Sequence, residues 1–262
     1  MESVPKLHST RSVLHPLVTA FQCWFRHWQA PLNYTAIRSL GELGRCQSRV
    51  RFDPARTPVP GWLTPAEQRA LYSLGRWAPG PFLEIGPWLG LSTTALALGI
   101  ADSDERKEFI SCEINPTLAN FRPTADGMMG LFLPAESTVS MGPCTVEVFE
   151  RDIKPVVGHP DGLGGQLLEN LRRCGADKLV RVVFGDFRNL ESKSYGLVFC
   201  DAMHTETEIL RNAPDLRRNL TAGSILSCHD TTDENAHLLH QLFAFGDTFR
   251  VDSLFVGEIP RV

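Results

Sequence analysis

The sequence lacks the patterns that assign a chain to several large classes of protein. It has neither the G-x-G-x-x-G fingerprint of dinucleotide sites nor the G-K-[S/T] ending of a phosphate-binding loop. No apolar run reaches the length of a membrane span. The N-terminus has no continuous apolar core followed by small residues, so no signal peptide is expected. A net charge of −4 is mild and argues against nucleic acid as a main partner.

Cysteine usage indicates a reducing compartment. The seven cysteines contain no C-x-x-C pair and no zinc-ligand spacing. Cys112, Cys200 and Cys228 lie in apolar, strand-like runs, where cysteine behaves as a small hydrophobic residue. We therefore expect a cytoplasmic protein with free thiols. A hydrophobic content of 43% is enough for one large domain, with or without an appendage.

The most informative stretch runs from Pro81 to Leu98 and reads PFLEIGPWLGLSTTALAL. A short apolar strand is followed by a turn with Gly86 and Gly90, and then by the start of a helix. This order predicts a site for a nucleotide-like ligand, because glycines let backbone approach a ligand and helix-start N–H groups face it. Trp88 stands at the second glycine of the dinucleotide fingerprint, which disfavours a pyrophosphate. The alternative is an ordinary strand-turn-helix corner.

Strands and helices alternate through most of the chain, which predicts an α/β fold with a doubly wound, mostly parallel sheet. The predicted strands are 82–85, 108–113, 179–184, 195–200, 224–228, 248–251 and 254–256. Ligands of such sheets bind at the carboxyl ends of the strands. The acidic residues that fall at those ends are Glu84, Glu113, Asp186, Asp201 and Asp230.

Two segments depart from this pattern. Residues 1–60 form a basic, aromatic appendage, in which apolar residues between Val13 and Trp28 recur at helical spacing. That helix packs on its own domain or on a second subunit, giving a homo-oligomer; a substrate lid and a membrane-surface helix remain as alternatives. Residues 61–262 form the main domain. Within it, residues 116–160 are expected to be an insertion over the site, with a short strand at 145–149.

Two groups of residues resemble known methyltransferases. The motif Glu84-x-Gly86-x-x-x-Gly90-x-Ser92 resembles the first motif of class I S-adenosylmethionine-dependent methyltransferases. The segment from Asp201-x-x-His204 to His229-Asp230 is similar to the metal-dependent O-methyltransferases of macrolide-sugar and cephamycin biosynthesis. The resemblance covers about residues 80–115 and 178–235. It implies a seven-stranded, Rossmann-like methyltransferase fold and S-adenosylmethionine as the cofactor.

The resemblance also implies roles for single residues. An acid at the end of the second strand, here Glu113, binds the ribose hydroxyls. Asp186 accepts a hydrogen bond from the adenine amino group, and Phe187 packs on the ring. Asp186 as a simple turn former is the competing interpretation. The whole predicted cofactor set is Glu84, Gly86, Trp88, Gly90, Ser92, Glu113, Asp186, Phe187 and Asp201.

For methyl transfer, the resemblance assigns Asp201 and Asp230 to a metal and His204 to a general base. Two carboxylates at neighbouring strand ends suit Mg²⁺, which activates a bound hydroxyl. His204 has an unperturbed pKa of about 6.5, which suits proton abstraction. His229 stands where the resembled family often has a third acidic ligand, and imidazole is a poor ligand for Mg²⁺ that suits Mn, Fe or Zn better. Otherwise His229 lies outside the ligand shell, or the site is weak; the acids can also be helix caps.

These observations favour an enzyme that methylates a hydroxyl group on a small molecule, such as a sugar or specialised metabolite. The first alternative is a cofactor-binding protein without methyl transfer, acting as a scaffold. The second is a nicotinamide oxidoreductase, which Trp88 disfavours. The favoured interpretation requires an open pocket beside Gly86 with room for an adenosine.

Overall fold

The computed structural model describes residues 32–261, so the helix predicted between Val13 and Trp28 lies outside the described residues. Within 32–261, no helix is both long and apolar enough to cross a membrane. The helices of six or more residues are α1 (Leu40–Arg45), α2 (Pro65–Trp77), α3 (Leu91–Ala101), α4 (Gly162–Arg173), α5 (Glu206–Arg217) and α6 (Asp233–Phe243).

The main sheet has seven strands in the order β6-β2-β1-β7-β8-β10-β9. These strands are β1 (Phe82–Ile85), β2 (Phe109–Glu113), β6 (Arg181–Phe184), β7 (Tyr195–Cys200), β8 (Leu220–Cys228), β9 (Thr248–Val251) and β10 (Leu254–Glu258). The first five are parallel, and β10 runs antiparallel to both β8 and β9. The predicted doubly wound, mostly parallel sheet is confirmed.

The central strands β1 and β7 separate two apolar layers. Neighbouring residues of a strand point to opposite faces, so Phe82 joins one core cluster and Leu83 the other. The first cluster also contains Leu71 of α2 and Leu96 of α3, and the second contains Ile209 of α5. Helices therefore cover both faces of the sheet, which leaves the carboxyl ends of the strands as the place for a ligand.

The helix that leads into β1 begins with a capping box. Thr64 Oγ1 accepts a hydrogen bond from the Glu67 N–H at 3.2 Å, and the Glu67 carboxylate accepts one from the Thr64 N–H at 2.8 Å. Pro65 occupies the first helical position, where its missing N–H costs nothing. The cap fixes the position of Glu67, whose side chain faces His229 at the end of β8.

The described part of the N-terminal segment packs against the same core. Leu40 and Leu43 of α1 are fully buried in the first cluster. A Cβ at Gly44 would lie 2.6 Å from the Cβ of Phe249 in β9, so α1 lies directly on the edge of the sheet. Residues 46–63 then run in short turns to α2.

The segment 116–160 contains a small antiparallel sheet. Its strands are β3 (Phe121–Pro123), β4 (Met129–Phe132) and β5 (Ser140–Cys144), in the order β3-β4-β5. The prediction of a strand at Thr145–Phe149 is wrong, because Val146–Val148 is helical. Thr145 caps this turn by accepting from the Val148 N–H at 3.2 Å. The cap outweighs the strand preference of the alternating valines.

Helices α2 and α3 cross with their backbones in contact. A Cβ at Gly99 would lie 2.2 Å from the carbonyl oxygen of Tyr72, and a Cβ at Gly75 would lie 2.3 Å from that of Leu96. Backbone atoms cannot yield as a flexible side chain can, so both positions require glycine. This crossing fixes α3, and with it the glycine turn that precedes α3.

We predict that Gly99→Ala lowers the free energy of unfolding by about 1–3 kcal/mol, because the new methyl group forces α2 and α3 apart. Urea unfolding followed by circular dichroism measures this change. Gly246→Ala is the matched control, since its Cβ would meet nothing closer than 3.9 Å. Equal stability of the two variants would contradict the close crossing.

Candidate active site at the carboxyl ends of the strands

Glu84 is the third of the four residues of β1, and its carboxylate is fully buried. Three hydroxyl groups donate to that carboxylate, each at 2.6 Å: those of Ser92, Thr93 and Ser111. Burial raises the pKa of Glu84, and the three hydroxyl donors act in the opposite direction. The structure thus places Glu84 and Ser92 beneath the turn, bonded to each other. In this conformation Glu84 holds the turn in place and does not present its oxygens to a ligand.

The glycine turn is shaped by contacts within the protein. Gly86 has φ +80° and its Cβ would lie 2.6 Å from the Asp201 carbonyl oxygen, so glycine is needed for the approach of β7. Gly90 has φ +94°, and its Cβ would meet Leu167 of α4 at 2.9 Å. Trp88 also takes a positive φ, of 50°. The turn is therefore a fixed, closely packed corner.

Glu113 connects the turn to the end of β2. Its carboxylate accepts the Trp88 N–H at 3.1 Å and the Asn115 N–H at 3.0 Å. Burial raises the pKa of Glu113 to about 7, although these backbone donors act to lower it. A carboxylate has about four acceptor positions, so two remain for a diol. Ile114, the next residue, is 40% exposed.

Asp186 and Phe187 follow β6, next to Glu113. Both Asp186 oxygens accept from Nη1 of Arg188, at 3.0 and 2.9 Å, and Oδ1 also accepts the Arg188 N–H. Phe187 is buried in the second core cluster, with the Arg188 guanidinium 4.9 Å from its ring centroid. An adenine amino group would therefore have to share Asp186 with Arg188. Phe184, at the end of β6, remains 45% exposed.

On the other side of β1, the ends of β7 and β8 bring two imidazoles to one carboxylate. Asp201 Oδ1 lies 3.0 Å from His204 Nε2 and 3.3 Å from His229 Nδ1. Asp230 follows His229, and its Oδ1 lies 3.6 Å from the same Nδ1. Asp201, His229 and Asp230 each offer a ligand atom, and these atoms all lie within 4.8 Å of one another. The residues predicted for metal binding and proton transfer are thus neighbours.

The charges of this cluster are strongly coupled. Burial alone would lower the pKa of His204, but Asp201 and Glu208 outweigh it and raise that pKa to about 10. The pKa of His229 rises to about 10 in the same way, through Asp201 and Glu67. The two imidazoles in turn hold the pKa of Asp201 below its usual range against the effect of burial. The expected near-neutral pKa of His204 is corrected accordingly.

The sequence analysis missed two acids that extend this cluster. Glu208 Oε2 lies 3.6 Å from His204 Nδ1, and its Oε1 accepts the Gly142 N–H from β5 at 2.9 Å. Glu67 Oε2 lies 3.5 Å from His229 Nε2. Both acids are the third residue of a capping box, which the sequence does indicate. Only the folded chain shows that each also faces a histidine.

The space beside the turn is smaller than the sequence analysis requires. A cavity of about 20 Å³ lies there, lined by Pro60, Gly61, Trp62, Leu63, Pro87, Trp88, Leu89, Leu91, Ser92, Asp201 and His229. Such a volume holds one water molecule. Trp62 closes it by stacking on Trp88, with ring centroids 5.7 Å apart. Among residues 32–261, this side of β1 therefore has no open pocket, whereas Ile114 and Phe184 at the ends of the neighbouring strands are exposed.

Comparison with known proteins identifies the family. A family model described as a methyltransferase domain matches residues 83–231, which is more than half of the chain. The chain belongs to this methyltransferase family. With its seven-stranded sheet, it is a class I methyltransferase of the S-adenosylmethionine-dependent type. No curated protein matches the sequence.

Several solved structures resemble this methyltransferase distantly. Cofactor-bound Rv0187 from MTB is 15% identical, with TM-score 0.47, over 80% of this chain and 87% of that one. The O-methyltransferase from Bacillus cereus in complex with SAH is 14% identical, with TM-score 0.44, over 92% and 97%. An RNA methyltransferase from Salinibacter ruber is 14% identical, with TM-score 0.40, over 69% and 81%. At this level the similarities carry no conclusion about substrate.

The donor atoms of Asp201, His229 and Asp230 suit a divalent cation that accepts both carboxylate and imidazole ligands. His229 directs Nδ1 towards both aspartates, while its buried Nε2 has no hydrogen-bond partner among residues 32–261 and faces Glu67. A carboxylate behind the far nitrogen of a histidine is the usual support of a metal-ligating imidazole. Two carboxylates and one imidazole suit Mn²⁺ better than Mg²⁺.

The raised pKa of Glu113 predicts a pH dependence of cofactor binding. If Glu113 binds the ribose diol as the sequence predicts, protonation of the carboxyl below a pH of about 7 removes an acceptor, so affinity should rise as the pH increases through 7. If binding depends fully on the ionised carboxylate, S-adenosylhomocysteine should bind about tenfold more weakly at pH 6 than at pH 8. Calorimetric titration measures this ratio.

Glu113→Gln is the matched variant for that measurement, since glutamine keeps the shape but cannot titrate. It should bind more weakly at pH 8 and show no change between the two pH values. If the variant kept the pH dependence of the unsubstituted protein, that dependence would not come from Glu113 and the assignment would be contradicted.

Proposed function

We propose that this methyltransferase transfers a methyl group from S-adenosylmethionine to a hydroxyl of a small molecule, such as a sugar or specialised metabolite, with help from a divalent cation. The observation that carries the proposal is the pairing of His204 with Asp201 beside the glycine turn. The net charge of −4 favours a small acceptor over a nucleic acid. Free thiols at all described cysteines support the cytoplasm as its compartment.

The methyl donor is proposed to lie across the ends of β2, β1 and β7. Glu113 would accept the ribose hydroxyls with the two acceptor positions that its backbone contacts leave. Ile114 and Phe184 would cover the adenine, since both are exposed apolar side chains at adjacent strand ends. When bound, S-adenosylmethionine supplies a methyl group on a sulfonium cation. Asp201 at the end of β7 would lie next to that positive charge.

His204 is proposed to take the proton from the acceptor hydroxyl. Its ring is held between Asp201 and Glu208, which fixes the orientation of the nitrogens. With a pKa of about 10 the ring is mostly protonated at neutral pH, so only a minor fraction acts as a base there. If Asp201 coordinates a cation, its carboxylate stabilises the protonated ring of His204 less strongly. Cation binding is therefore expected to lower the pKa of His204 towards neutrality.

The cation is proposed to be held by Asp201, His229 and Asp230, with Mn²⁺ as the preferred metal. Bound there, it would make a coordinated hydroxyl easier to deprotonate. Glu67 would position His229 from behind, as its carboxylate lies 3.5 Å from Nε2 and is itself held by the Ser253 N–H and hydroxyl at 2.9 and 2.7 Å. Together with the hydrogen bond from the Thr64 N–H at 2.8 Å, these three contacts leave Glu67 little freedom to move.

We expect Asp201→Asn to reduce methyl transfer at least about a hundredfold while S-adenosylhomocysteine affinity stays within about threefold. Asparagine keeps the shape but loses the charge that orients His204 and binds a cation. Transfer is measured with a labelled methyl group, Mn²⁺ and a panel of hydroxylated small molecules. Asp233→Asn is the control, because this aspartate is exposed and, among residues 32–261, forms an ion pair with Arg250 alone.

Unchanged transfer by Asp201→Asn would contradict the catalytic assignment. Tight binding of S-adenosylhomocysteine by the unsubstituted protein, with no transfer to any acceptor, would favour the alternative of a cofactor-binding scaffold. Transfer to RNA but to no small molecule would contradict the proposed acceptor class.

A second prediction concerns the cation without reference to activity. Glu67→Gln should weaken Mn²⁺ binding about tenfold to a hundredfold, because loss of the supporting carboxylate leaves His229 a poorer and less ordered ligand. Electron paramagnetic resonance of free Mn²⁺ measures the affinity. Glu150→Gln, at an exposed glutamate paired with Lys154, should leave it unchanged. Absence of Mn²⁺ binding in the unsubstituted protein would contradict the metal proposal.

A further inference from the structure

The segment Pro58–Leu63 closes the small cavity beside the glycine turn. The cavity of about 20 Å³ accommodates one water molecule, whereas the sulfonium end of the proposed methyl donor carries a methyl group and an amino-acid chain. Asp201, which the donor's cation would approach, lines the cavity, and so do both tryptophans. For the donor's sulfonium end to enter the cavity beside Asp201, part of this lining has to move.

Trp62 is the lining residue that is least held. Its side chain is 55% exposed, and its ring stacks on Trp88 at an interplanar angle of 29°. Trp88 is fixed by the hydrogen bond from its N–H to Glu113 and by the closely packed turn around it. In this stacked pair, Trp88 is therefore the ring that is held in place, and Trp62 is the ring that can move away.

Both ends of the segment are anchored. The Pro58 carbonyl accepts from Arg173 Nη2 at 2.7 Å, and Val59 is buried in an apolar cluster with Leu89. At the other end, the Leu63 carbonyl accepts from Gln68 Nε2 at 3.1 Å, just before the capping box of α2.

The tip of the segment, residues 60–62, lies between these anchors and lacks comparable hydrogen bonds within residues 32–261. In the described residues 32–261, neither Gly61 nor Trp62 makes a backbone or side-chain hydrogen bond, and Pro60 has no N–H. Gly61 instead packs on Leu91, which a Cβ at Gly61 would meet at 2.8 Å. Stacking on Trp88 and contact with Leu91 thus hold the tip, with anchors close on both sides.

We propose that Trp62 is a lid for the methyl donor: it leaves Trp88 to admit the sulfonium end and then returns to exclude water. The inference rests on the proposed function. With the lid closed again, the cavity has two indole rings and the Asp201 carboxylate in its wall, which is an environment that favours a cation. Return of the lid would keep the cation and the transferring methyl group out of bulk water.

Binding kinetics test the lid. In Trp62→Ala no stacked pair has to open, so S-adenosylhomocysteine should associate about threefold to tenfold faster and dissociate faster as well. Surface plasmon resonance measures both rates. Trp77→Phe is the control, because Trp77 lies in α2, donates to the Ile37 carbonyl and does not line the cavity. Its rates should equal those of the unsubstituted protein.

A disulfide lock tests the same movement within one chain. A Cβ at Gly61 would lie 3.1 Å from that of Leu91, so a shift of a few tenths of an ångström allows Gly61→Cys and Leu91→Cys to form a bond. The oxidised double variant should bind S-adenosylhomocysteine at least about a hundredfold more slowly than its reduced form. Mass spectrometry confirms the bond, and the unsubstituted protein treated with the same oxidant is the control.

The outcomes separate the two proposals. If the unsubstituted protein does not bind S-adenosylhomocysteine, the proposed function fails and the lid with it. If it binds, but Trp62→Ala has unchanged rates and the oxidised lock binds as fast as the reduced form, only the lid is overturned.

Discussion

The buried carboxylate of Glu84 is the interaction on which the site depends. It carries an acidic group into the centre of the sheet, where an unpaired charge would be strongly unfavourable. Hydroxyls from β2 and from the first turn of α3 supply three donors at 2.6 Å. Because those donors belong to two different elements, one carboxylate fixes the start of α3 against β2. The glycine turn, which connects β1 to α3, is then held at both of its ends.

A second carboxylate organises the other half of the site. Asp201 faces two imidazoles, and each imidazole faces a further acid, so that Glu208, His204, Asp201, His229 and Glu67 alternate in charge. Every acid in this row raises the pKa of the histidine beside it. The row joins elements far apart in the chain, because Glu67 lies in α2 and Glu208 in α5. Proton affinity at His204 is therefore a property of the whole row.

Much of the fold is predictable from the sequence, since short apolar runs separated by helical patterns give all seven strands of the main sheet. The small sheet of residues 121–144 is not, because its strands contain glycine and proline and have no clear alternation. At Thr145–Phe149 the error is the opposite one: the valines predict a strand, but Thr145 caps a helical turn. The site residues at strand ends follow from topology. Glu67 and Trp62 do not, because their contacts join segments that only folding brings together.

The two sides of the site are built from different kinds of structure. The proposed adenosine side consists of parallel strand ends, whose spacing the sheet fixes. The histidine side depends on the small sheet, since the Gly142 N–H of β5 donates to Glu208, and Glu208 contacts His204. Gly142 has φ +47° and open space around it, so a larger residue there strains the backbone without a steric contact. A change in the small sheet can therefore alter the proposed proton transfer at His204 while leaving the proposed adenosine side unchanged.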